Sequence, residues 1–154
     1  MEYGSIEREL RIDATPEVVY EVISSPEHLR EWWPDDAELD PVPGAAGAVT
    51  FGDPASPDAK VEPLTVLEAD PPRRFAFRWV YDVGEPVAAD NSLLVTFDLV
   101  PSGHGTLLRF TETGFRERGW EAAVLEEAYL DHVRGWDQFL PRLVAYANRL
   151  VGRP

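Results

Sequence analysis

Cysteine is absent from the 154 residues. Disulfides, thiolate metal sites and cysteine nucleophiles are therefore excluded, and the absence fits an expected cytoplasmic location. Nowhere do eighteen apolar residues run together, so no segment reads as a membrane-spanning helix. The first stretch, MEYGSIERELRID, has no basic region leading into an apolar one and does not read as an export signal. Positive charge is also scarce: 14 Lys and Arg stand against 28 Asp and Glu, for a net charge of −14. A chain so acidic repels phosphate backbones and anionic headgroups, so neither nucleic acid nor a membrane surface is an expected partner.

Several signatures of catalysis are missing too. The histidines His28, His104 and His132 have no partner histidine four residues away and no HExxH pattern, so no metal is expected. Neither Gly44-Ala45-Ala46-Gly47 nor Gly103-His104-Gly105 precedes a helix or a Lys-Ser/Thr step, so both read as turns and not as phosphate cradles. No Gly-x-Ser-x-Gly elbow occurs. No cofactor is expected.

What is present is a folding composition, 44% hydrophobic and 11% aromatic. The length suits one domain over residues 1–154, which buries about 68–70% of the surface of its unfolded chain. Residues Ser5 to Ile12 alternate as a half-buried strand, with Arg8 interrupting the apolar side. Thr15-Pro16-Glu17 and Ser25-Pro26-Glu27 each set a hydroxyl at an N-cap, proline at the first helical position and a carboxylate near the positive end of the helix. Two short helices are predicted there. Pro34 ends the second, leaving Trp32 and Trp33 at its terminus.

From Ala37 to Thr113 the chain reads as antiparallel strands between turns at Pro41–Gly47, Gly52–Asp58, Asp70–Arg73, Gly84–Asp90 and Pro101–Gly105. Arg74 to Tyr81 puts Phe75, Phe77, Trp79 and Tyr81 on one face. Ser92 to Val100 does the same with Leu93, Val95, Phe97 and Leu99, and the last strand with Leu108, Phe110 and Glu112. After Gly119, apolar residues recur by threes and fours from Leu125 to Leu150, predicting a long helix with a kink or break at Pro141.

The segments IDATPEVVYEVISSPEHLREWWP, VLEADPPRRFAFRW, GTLLRFTETGF and GWDQFLPRLVAYANRL span almost the whole chain. In that order they resemble the SRPBCC (START-like, Bet v 1-like) superfamily, and within it the bacterial proteins named after the Hsp90 ATPase activator's C-terminal domain. The resemblance implies an α+β helix-grip fold: a curved antiparallel sheet around a long C-terminal helix, with two short helices after the first strand closing one end of an apolar cavity. It implies a wall drawn from Trp32, Trp33, Phe77, Trp79, Phe97, Phe110, Glu112, Tyr129, Trp136 and Leu140. The match carries no counterpart of the extra N-terminal domain of the eukaryotic co-chaperone, and Hsp90 activation is not transferred.

Three functions follow as expectations. The first is binding of a small hydrophobic or amphipathic molecule in the cavity. Adjacent side chains diverge by about 100° on a helix, so one of Trp32 and Trp33 is expected to pack as core while the other meets the cavity or its mouth. The second is an enzyme of the polyketide cyclase/dehydratase type, with Glu112 moving a proton, aided by Tyr129 or His132. An inward Glu112 among aromatics would be desolvated, which raises a carboxyl pKa. Against that stand solvation at a frayed strand end or pairing with an arginine. The third is an Hsp90-linked interaction module, whose partner would be the host's Hsp90 homologue.

Overall fold

The computed structural model describes residues 4–53, 55–81 and 85–151. Pro54 and Gly84, within two of the expected turns, lie outside them. Ten elements follow one another: β1 (Ser5–Ile12), α1 (Pro16–Ser24), α2 (Pro26–Trp32), β2 (Asp36–Glu38), β3 (Ala46–Phe51), β4 (Lys60–Asp70), β5 (Arg74–Trp79), β6 (Leu93–Ser102), β7 (Gly105–Thr113) and α3 (Ala122–Val151). The strands form one curved antiparallel sheet of order β1-β7-β6-β5-β4-β3-β2, a meander whose last strand returns to the first. This is the α+β helix-grip arrangement expected from the sequence.

Period-two patterning sets the inner face. Thr106, Leu108, Phe110 and Glu112 of β7 are all fully buried, as are Leu93, Val95 and Phe97 of β6. The β1–β7 register places Ile6 opposite Glu112, Arg8 opposite Phe110 and Leu10 opposite Leu108. Arg8 therefore sits on the inner side, where Asp137 of α3 neutralises it. Its Nε and Nη2 donate to the two carboxylate oxygens at 2.8 and 3.2 Å. The same pair raises the Arg8 pKa, the hydrogen bond to Asp137 outweighing desolvation.

Helix α1 begins as its sequence dictates, with the Thr15 hydroxyl accepting from Val18 N–H. The second cap differs from expectation. Ser25 makes no side-chain cap for α2 because its hydroxyl donates instead to Glu21 of α1, and Ser25 serves as the hinge between the helices. Helix α3 shows no break at Pro141 and continues to Val151. A single missing donor is compatible with a helix anchored on both sides of the proline: Trp136, Leu140, Leu143 and Ala147 are all buried in the sheet's concavity.

Strand β5 stops at Trp79, two residues short of the expected end. Val80 adopts a φ of 58°, a left-handed conformation costly for a β-branched residue. The Arg118 guanidinium donates to the carbonyls of Val80 and Asn91 and holds this corner. Strand β7 ends with equal definition at Gly114, whose φ is +105° and where an added Cβ would lie 2.8 Å from the Ser92 carbonyl. Gly114→Ala is expected to destabilise the protein by about 1–3 kcal/mol, since both backbone conformation and space oppose a side chain. Urea denaturation followed by tryptophan fluorescence measures it.

Candidate functional site

Glu112 ends the inner row of β7, and burial without partners would be prohibitive for a carboxylate. Neighbouring elements supply its partners. From β5, Trp79 Nε1 donates to Oε2 at 2.7 Å. From α3, Trp136 Nε1 donates to Oε1 at 2.9 Å, and His132 Nδ1 lies 2.8 Å from the same oxygen. Indoles can only donate, so the Glu112 oxygens accept both indole N–H groups, and His132 Nδ1 completes the set. His132 and Trp136 lie four residues apart, on one face of α3.

Burial alone would lower the His132 pKa. The hydrogen bond and charge of Glu112, with the charge of Asp131, outweigh that effect and a smaller opposing one from Lys60, so the net shift is upward from the usual 6.5. His132 is thus held towards its protonated form, with Nδ1 bonded inward and Nε2 outside that bond.

Beside this cluster an open cleft of about 460 Å³ separates α3 from the β3–β4 side of the sheet. Its walls are Trp33 from the end of α2, Phe51 of β3, Lys60 and Glu62 of β4, Trp79 and Val80 at the end of β5, and the α3 residues Asp131, His132, Arg134, Gly135, Trp136, Gln138 and Phe139. The rim charges form close pairs, Lys60 with Glu62 at 3.4 Å and Arg134 with Asp131 at 3.8 Å. Gly135 has nothing within 4 Å of where a Cβ would stand, so this missing side chain helps create the opening.

Of the ten wall candidates from the sequence, Trp33, Trp79 and Trp136 border this cleft. Glu112 stands behind it, in contact with Trp79, Trp136 and His132. Phe77, Phe97, Phe110 and Leu140 belong to the packed core, and Trp32 is buried with its Nε1 donating to the Val22 carbonyl at 3.0 Å. Tyr129 lies elsewhere, donating to the Ser5 carbonyl at 2.8 Å and packing edge-on to Phe115. Both adjacent indoles of the Glu-Trp-Trp-Pro segment are buried in the core, and of the two it is Trp33 that also borders the cleft.

Sequence reasoning missed Phe51, Phe139 and the role of Gly135. Spacing offered one signal, since His132, Gly135, Trp136 and Phe139 fall at i, i+3, i+4 and i+7 on one helix face. Among the described residues, no group of three or more His, Cys, Asp or Glu is placed to hold a metal, and no helix is long and apolar enough to cross a membrane.

The family model described as activator of Hsp90 ATPase homolog 1-like protein matches residues 13–148. The chain belongs to this family. Similar solved structures include protein MLL2253 from Mesorhizobium loti, 23% identical over 94% of this chain and 97% of that one, with a TM-score of 0.74. CalU16 from Micromonospora echinospora is 23% identical over 98% and 82% of the two chains, with a TM-score of 0.64. The Aha1 dimer from Colwellia psychrerythraea is 18% identical over 94% and 96%, with a TM-score of 0.67. At these identities the likeness is one of fold. Comparison with curated proteins gave no match.

In this member of the Hsp90 ATPase activator homologue family, the Glu112 contacts make a pH dependence. The folded-state pKa of His132 is raised, so its stabilising contribution is complete below the unfolded value near 6.5 and is lost as pH rises through the folded value. Glu112→Gln removes the charge and turns an amide N–H toward indole and imidazole donors. Three outcomes are expected: a loss of about 1–3 kcal/mol, a His132 pKa that falls, and disappearance of the stability decline above pH 6.5. Imidazole NMR titration and urea denaturation across pH read all three.

Proposed function

We propose that the protein binds a small amphipathic molecule with a flat apolar body in the cleft between α3 and the β3–β4 side of the sheet. One observation carries this reading. The N–H groups of Trp79 and Trp136 are both committed to Glu112, so these indoles offer the cleft ring carbon and π surface, beside Trp33, Phe51 and Phe139. A cleft of about 460 Å³ suits a ligand of drug-like size. The charged residues at its rim would orient a polar end.

A proton-transfer enzyme is the second reading, and the Glu112–His132 pair favours it. Both oxygens of Glu112 are occupied by protein donors, so the group that could exchange a proton with a cleft occupant is His132, with Glu112 acting through it as a positioning residue. Such an activity belongs to the cyclase/dehydratase type expected from the sequence. An Hsp90-linked interaction has the family description as its support.

Gly135 gives a direct test of the binding reading. Gly135→Leu projects a side chain into open space on the cleft wall while improving helix propensity by about 0.5–1 kcal/mol. The variant is expected to keep or raise its melting temperature and to lose the stabilisation that planar apolar compounds give the wild type in thermal-shift screening. Native mass spectrometry of copurifying small molecules should likewise find an adduct on the wild type and none on Gly135→Leu. If Gly135→Leu binds the same compounds with unchanged affinity, the cleft is not the site.

A further inference from the structure

A row of charge crosses the outer, convex face of the sheet and alternates in sign from strand to strand. The registers set Glu9 of β1 beside Arg109 of β7, Arg109 beside Asp98 of β6, and Asp98 beside Arg74 of β5. Glu68 of β4 ends the row, 3.3 Å from Arg74. These five side chains are between 39 and 59% exposed, and ion pairs so open to water add little to a chain's own stability. On the same face the cross-strand neighbours of this row are Val100 with Leu107 and Thr96 with Thr111. Val100 is one of the large apolar residues left exposed, at 40%.

We propose that this face docks a second copy of the chain as a symmetric dimer, with the two-fold axis lying in the contact plane and running along the strands between β6 and β7. Such an axis lays β6 of one copy over β7 of the other, so each residue faces its own cross-strand partner in the second copy. Asp98 then meets Arg109 and Arg109 meets Asp98, Val100 meets Leu107, and Thr96 meets Thr111. One strand further out, Glu9 meets Arg74. A row of alternating charge is its own complement about an axis placed between two of its members. The other residues choose which two. An axis between β5 and β6 would set Leu94 against Arg78, and one between β1 and β7 would set Arg11 against Leu107. Between β6 and β7 the apolar pair, the charged pair and the small hydroxyl pair are each matched in kind.

Shape and charge agree with that placement. A hollow of about 360 Å³ opens between β1 and β7, with Glu7, Glu9, Arg109 and Thr111 in its wall. The Glu7 carboxylate accepts from the Ser5 hydroxyl at 3.2 Å and, among the described residues, pairs with no cation. Arg74 of the second copy comes over this hollow. Stacked sheets keep their strands within about 30° of each other, so the central pairs stay opposed while the outermost ones spread. Two copies carrying −14 each repel at long range, but at about 0.15 M salt the Debye length is about 8 Å, and pairs in contact outlast that screened repulsion. Contact centred on two strands from each copy is small, so the dimer is weak and reversible.

Sedimentation equilibrium of the full chain tests the proposal, at about 0.15 M salt and from about 10 to about 500 μM protein. The average mass of the wild type is expected to rise toward twice the monomer mass, with a Kd on the order of 100 μM. Asp98→Arg and Arg109→Asp each set like charges against each other across the axis, and each should weaken association by about tenfold or more. Mixed in equal amounts, the two variants present opposite charges to each other again, and the mixture should return to within about threefold of the wild type. Asp98→Arg makes the chain less acidic overall, so association governed by net charge alone would strengthen in that variant. Both positions are exposed, and circular dichroism is expected to show the wild-type fold in each variant. A wild type that stays monomeric throughout, single variants that associate as well as the wild type, or a mixture no more associated than its components would each overturn the proposal.

Discussion

The structure is organised around one buried carboxylate. Glu112 has no exposed surface, and a carboxylate in such a place requires donors on every side that water has left. Those donors come from β5 and α3, so satisfying one side chain of β7 fixes the relation of three elements. Because His132 and Trp136 share Oε1 from positions one helical turn apart, the helix cannot rotate or slide along the sheet without breaking one of the two bonds. Apolar packing tolerates such shifts more readily than a network of directional bonds does. The Arg8–Asp137 pair adds a second polar tie between β1 and the same stretch of helix.

Around that centre the aromatic residues form a connected set with Trp33 at its middle. Its ring lies within 5.2 to 6.1 Å of Trp79, Trp136, Phe77, Trp32 and Phe51. The position is a consequence of Pro34, which forbids helical geometry at Trp33 and leaves it at φ −121° and ψ −93°. Trp32, still helical, points into the core and meets Phe97 edge-on. A single proline thereby separates two consecutive indoles that both pack in the core, one of which also borders the cleft.

Most of the architecture was legible in the sequence because its signals are local and periodic: alternation in β5 to β7, proline-marked starts for α1 and α2, and the apolar stripe of α3. Where local reasoning fell short, a distant partner decided. Ser25 was drawn from its capping role by Glu21, and the helix through Pro141 is held by burial on both sides of the proline. Glu112 could be assigned an inward face from Leu108 and Phe110, yet nothing in the sequence showed that two tryptophans and a histidine would converge on it from 20 to 33 residues away. The cleft was the least legible feature. Period alone cannot separate Phe77, Phe97 and Phe110 from Trp79 and Trp136, which are buried in the same core and also border the opening.

That opening is itself informative about what the sequence serves. On α3 the positions His132, Gly135, Trp136 and Phe139 line one face, and stability alone would place an apolar side chain at the second of them. Glycine there costs helix propensity of about 1 kcal/mol relative to alanine and leaves space that a leucine could occupy. Elsewhere along the same helix, at Leu140, Leu143 and Ala147, the inner face is packed and buried. The interruption falls beside the imidazole that Glu112 holds. A helix that seals its core along most of its buried length thus carries no side chain at the one position where the cleft opens against it, and packing gains nothing from the gap.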